Sequence, residues 1–148
     1  MKPFALGAVL RYRRQLEDAA RRELHQALQA EARLRTALRH AQAELAELYA
    51  GLERDQARGT TADRLLLYEH RIDLVREQEQ RRQRDVARQQ EQVAQQRQLL
   101  IKASTDRKVL EKLREQQDAA YRRHLERKET EMLDEIAVLS HERRQHSG

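Results

Sequence analysis

Along the first third of the chain, apolar residues recur in steps of four and three. The positions are Leu6, Leu10, Arg13, Glu17, Ala20, Leu24, Ala27, Glu31, Leu34, Leu38, Ala41, Leu45, Leu48 and Leu52, and only Arg13, Glu17 and Glu31 interrupt the apolar series. That alternation is the heptad of a coiled coil. A helix with one narrow apolar stripe needs a helical partner to cover it. The pattern stops at Arg58-Gly59-Thr60-Thr61. Gly59 suits the left-handed position that ends a helix, and Thr60 or Thr61 suits the cap that starts the next.

A second helix is predicted over about 62–143, after a first over about 3–57 and a turn at about 58–61. Its stripe begins with Leu65, Tyr68, Ile72 and Val75 and then weakens. The same frame meets Glu79, Arg82, Val86, Gln89, Val93, Gln96, Leu100, Ala103, Arg107 and Leu110. Folding the chain back at Gly59 pairs positions whose numbers add to about 120, so Leu34 meets Val86 and Arg82 faces Leu38. A parallel homodimer would instead set Glu79, Arg82 and Arg107 against their own copies. The hairpin carries one conflict of its own, Arg13 near Arg107. Helix one runs out opposite Leu113, leaving Tyr121, Leu125, Met132, Ile136 and Leu139 as an apolar stripe without an intrachain partner. The expected fold is all-α: a single coiled-coil domain over 1–148, two long helices in an antiparallel hairpin with a C-terminal helical overhang.

Composition agrees with a helical coiled coil. Charged residues make up 37% and aromatic residues 3% of the 148, with mean hydropathy −1.02. That is too little large apolar side chain for a compact core, yet too periodic for disorder. The only proline is Pro3, tolerable in a helix's first turn. With no cysteine, disulfides and thiol chemistry are excluded. The apolar run Phe4 to Leu10 is short and is followed by Arg11-Tyr12-Arg13-Arg14, so it reads as a helix start rather than a signal peptide.

The formal charge is +5, unevenly spread: residues 76–114 hold eleven Arg and Lys against six Asp and Glu. Basic rods meet nucleic acid or acidic protein surfaces. Here the acids are interspersed and no aromatic residues interleave for base stacking, which argues against nucleic acid. No two of the six histidines lie three or four residues apart, so no metal ligation or cofactor is expected. A two-helix coiled coil offers no cleft in which a carboxylate is tuned for catalysis, so the chain is read as non-enzymatic.

A set of ordered motifs covers essentially the whole chain: Phe4-x-Leu6-x-x-Val9-Leu10; the break at Gly59; Leu67-Tyr68-x-x-x-Ile72; Arg107-Lys108-Val109-Leu110-Glu111-Lys112-Leu113; Tyr121; and Glu131-x-x-Asp134-Glu135-Ile136-Ala137. In this order and spacing the chain resembles the FliJ family of flagellar type III export. The resemblance implies a cytoplasmic stalk, peripheral at the inner face of the cell membrane through its partners. Those partners are a hexameric export ATPase (FliI-like), an export gate protein (FlhA-like) and export chaperones. It also implies a gate contact at Leu67, Tyr68, Arg71, Ile72 and Val75. The ATPase contact it implies comprises Arg107, Lys108, Leu110, Lys112, Leu113, Tyr121 and Leu125. The stalk of virulence injectisomes (YscO-like) has the same layout, so the flagellar and injectisome readings both stay open, as does a structural homodimer.

Overall fold

The computed structural model describes residues 4–146. Two helices account for nearly all of them, α1 over Gly7–Arg58 and α2 over Ala62–His146. Gly59 adopts φ 85°, the left-handed conformation that stops α1 at little cost. Thr61 is the cap: its Oγ1 accepts a hydrogen bond from the Arg64 backbone N–H at 3.3 Å. Asp63 lies in the first turn and Arg143, Arg144 and His146 in the last, each favourable to the helix dipole.

Both outer ends differ from expectation. The first α-helical residue is Gly7, preceded by a turn in which the Gly7 N–H reaches the Phe4 carbonyl at 3.0 Å. Pro3, the expected start, lies outside the described residues. At the other end α2 runs three residues beyond Arg143.

Contacts group the chain into two compact units, Asp18–Lys102 and Met1–Glu17 with Ala103–Gly148. In the first, the pairs between helices are Asp55 with Arg64, Glu44 with Arg71, Tyr49 with Arg76 and the Ala27 carbonyl with Gln89. In the second they are Arg13 with Asp106, Arg14 with Glu111 and Glu17 with Arg107. Within each unit the paired numbers add to 120 within five, which is antiparallel pairing about Gly59.

The covered residues are the seam. Ile72, Val75, Val86 and Val93 of α2 are buried, as are Leu10 and Ala41 of α1. Val86 and Val93 are the two apolar positions expected to hold the weak stretch. Gln89 lies between them, half-buried, and donates through Nε2 to the Ala27 carbonyl at 3.0 Å. A polar seam residue is tolerable when its donor is satisfied. Arg82 is exposed, with its guanidinium 3.9 Å from Asp85 on its own helix. A long cationic side chain at a two-helix seam can carry its charge to water at small cost.

Gly51 has a packing reason. A Cβ there would lie 3.0 Å from the Tyr68 hydroxyl and 3.3 Å from a ring carbon. The missing side chain lets the Tyr68 ring lie against α1, close to the turn.

Candidate functional site

Three regions carry the surface chemistry, the first beside the turn. Leu48, Arg64, Leu67, Tyr68 and Arg71 line a shallow apolar depression. Leu67 is 69% exposed and Leu66 and Leu74 are exposed nearby. Arg71 is exposed and ion-paired with Glu44. Tyr68 is half-buried over Gly51. Ile72 and Val75, at 5% and 1% exposure, are covered by α1. Of the five residues named for the gate contact, Leu67 and Arg71 therefore offer the most surface and Tyr68 an edge. Ile72 and Val75 position the patch from beneath.

The second region is an ionic cluster where residues 13–17 of α1 meet residues 106–111 of α2. Glu17 is 3% exposed and accepts from Arg107 Nε at 2.5 Å. Arg107 also donates through Nη1 to Glu111 at 2.7 Å, and Arg14 reaches Glu111 at 3.2 Å. Arg13 bonds Asp106 at 3.3 Å. Glu31, the remaining charged seam position of α1, pairs with Arg35 at 2.8 Å on its own helix. The expected repulsion between Arg13 and Arg107 is thus relieved, because each guanidinium has its own carboxylate. The Arg107 pKa is raised, chiefly by its hydrogen bond to Glu17 and further by Glu111. Desolvation would push Glu111 up, but the hydrogen bonds and charges of Arg14 and Arg107 together hold it below its ordinary value of 4.5.

Around this cluster, Lys108, Lys112 and Leu113 are exposed and Leu110 is half-buried. Among the residues named for the ATPase contact, Arg107 is occupied by its two glutamates, whereas Lys108 and Lys112 point their charges to solvent.

The third region follows Tyr121. Tyr121 itself is half-buried, and every described residue from 122 to 146 is exposed. Leu125, Met132, Leu133, Ile136, Val138 and Leu139 are exposed apolar side chains on this stretch, with Met132 at 63%. Sequence reasoning named four of these six. Leu133 and Val138 lie off the heptad frame and were missed.

No group of three or more metal-ligating side chains occurs among the described residues. No helix among them is long and apolar enough to cross a membrane.

The family model described as Flagellar FliJ protein matches residues 1–146. The chain belongs to the FliJ family. A solved structure of a YscO homologue, CT670 from Chlamydia trachomatis, is similar in fold. It has 22% identity and a TM-score of 0.51, with 100% of each chain covered. No match was found among curated proteins. Family membership identifies the chain as a type III export protein, and the CT670 likeness bears on the helical hairpin alone.

Proposed function

We propose that this FliJ-family chain is a non-enzymatic stalk of the flagellar type III export apparatus, coupling the hexameric export ATPase to the export gate and assisting export chaperones. It works in the cytoplasm and reaches the membrane only through its partners. The observation that carries the reading is the exposed helix beyond Tyr121. It presents six large apolar side chains to water in a chain otherwise rich in charge. Apolar surface of that extent is retained where something covers it. Family membership supports an ATPase as the cover. Lys108, Lys112 and Arg114, all exposed, would steer this end toward an acidic pore mouth.

The gate contact is assigned to the patch beside the turn, on Leu67 and Arg71 with Leu66 and Leu74. The Tyr68 edge contributes, and Ile72 and Val75 hold the backbone in place. A coupling element has to hold both partners at once. Immobilised ATPase should therefore retain the cytoplasmic part of the gate protein only when this chain is added. The combined variant Leu67→Ala with Arg71→Ala should release the gate and leave the chain on the ATPase. Retention of the gate without the chain, or by the double variant as fully as by wild type, would refute the coupling role.

A further inference from the structure

Residues 129–142 are the most acidic stretch of the chain. They contain Glu129, Glu131, Asp134, Glu135 and Glu142 and not one Lys or Arg. A segment of charge −5 inside a chain of +5 leaves +10 for the remainder. None of these five carboxylates is ion-paired among the described residues. The apolar residues of the segment are all exposed: Met132, Leu133, Ile136, Val138 and Leu139.

The two features are arranged on one face. At 3.6 residues per turn, Met132, Ile136 and Leu139 fall within an arc of about 60°. Glu129 borders that arc on one side, with Glu135, Glu142 and Glu131 on the other. Glu131, Asp134 and Glu135 also line a shallow depression with Val138 and Leu139. The result is an apolar stripe with acidic rims.

The charge selects what covers it. A second copy of the segment would bring five more carboxylates against the first five, in either direction of pairing. An anionic membrane surface is disfavoured on the same ground, since the segment offers no cation to its headgroups. A complementary surface has an apolar floor and Lys or Arg at its edges. We infer that residues 129–142 dock as a helix into an apolar groove rimmed with basic side chains on a partner protein. The inference rests on the stalk reading for the identity of that partner, the export ATPase. It adds that the partner surface changes sign along the stalk: acidic where it meets Lys108 to Arg114, basic where it meets Glu129 to Glu142.

The test uses the full-length chain with two readouts. The first is fluorescence anisotropy with a labelled amphipathic 18-residue helix of Leu and Lys, and with its Leu and Glu counterpart. The second is phosphate release by the partner ATPase. The variants are Glu129→Lys with Glu131→Lys and Glu135→Lys, the same three positions to Gln, and Ile136→Ser with Leu139→Ser. A control, Glu77→Lys with Glu91→Lys, lies in the basic part of α2. Circular dichroism checks helicity throughout.

The Leu/Lys helix should bind and the Leu/Glu helix should not. Charge reversal should weaken binding by about tenfold or more, and the Gln variant by less. The Ser variant should also lose binding, and the control should keep it. Stimulation of the ATPase should fall in the same order. Equal binding of both peptides, or undiminished binding by the reversed variant, would overturn the acidic-rim mechanism. So would a dimer in sedimentation that charge reversal dissolves, because the occupant would then be a second copy. Peptide binding that follows charge while stimulation does not would keep the docking chemistry and refute the ATPase as its partner. Stimulation that needs the segment but ignores its charge would keep the stalk reading and refute this inference.

Discussion

Glu17 of α1 accepts a hydrogen bond from Arg107 of α2 at 2.5 Å, and Glu17 is the one charged side chain buried among the described residues. The pair occupies seam positions that hydrophobic patterning would fill with leucine. Removing Glu17 leaves Arg107 with Glu111 as its carboxylate, and removing Arg107 takes from the buried Glu17 the guanidinium it accepts from. Replacing both with apolar groups removes the desolvation cost as well. Glu17→Leu and Arg107→Leu should each lower the melting temperature, and the double variant should melt above either single one. Thermal circular dichroism of the four proteins closes the cycle. Additive losses in the double variant would show that the two side chains do not act as a pair.

Burial sets the stability of the turn-proximal unit. Ile72→Ala should cost about 2–4 kcal/mol, the lower part of the usual range for buried isoleucine because a two-helix seam relaxes readily. Leu67→Ala, on the exposed face, should stay within roughly 0.5 kcal/mol. Urea unfolding of both variants makes the comparison. Equal losses would place Leu67 in the seam and reverse the assignment of the docking face.

The held-down pKa of Glu111 gives a pH dependence with a definite sign. Its folded value lies below the ordinary 4.5. Its contribution is therefore complete above that value and is lost as pH falls through the folded one. Wild-type melting temperature should drop as pH is lowered from about 5 into the acid range, and Glu111→Gln should show a shallower drop. Parallel curves for the two proteins would remove Glu111 from the acid response.

Register can be fixed covalently. Leu34→Cys with Val86→Cys, in a chain that has no other cysteine, should oxidise to a monomeric crosslinked species on a non-reducing gel. Crosslinked dimers in its place would favour pairing between two copies.

The connection between the helices was plain in the sequence because its physics is local. Gly59 takes a positive φ and Thr61 caps the next helix whatever surrounds them. The register was legible for a different reason: one strong heptad fixes where its partner lies. Val86 and Val93 are buried even though polar residues surround them. Side-chain escape was not legible. Arg82 occupies a seam position in the frame but extends to water, and Arg13 and Arg107 avoid each other by taking separate carboxylates. Those outcomes depend on rotamers of long side chains, which periodicity does not encode. The Tyr68 ring over Gly51 was hidden for the same reason, since a glycine inside a helix reads only as a weak point. Of the candidate sites, the exposed stripe beyond Tyr121 followed directly from helix one being too short to cover it. The burial of Ile72 and Val75 beneath the turn-proximal patch was visible in the frame. Which neighbours stay open around them required the packed structure.

The central claim is that the helix beyond the paired region engages the export ATPase. Phosphate release by that ATPase, measured with the full-length chain and with a chain truncated after Leu113 at matched concentrations, tests it most directly. Sedimentation and circular dichroism of both proteins confirm that the truncated hairpin is folded and report any change of oligomeric state. The full-length protein should stimulate the ATPase, and the truncated one should remain helical without stimulating it. Equal stimulation by the two, or loss of a dimer as the only effect of truncation, would contradict the account.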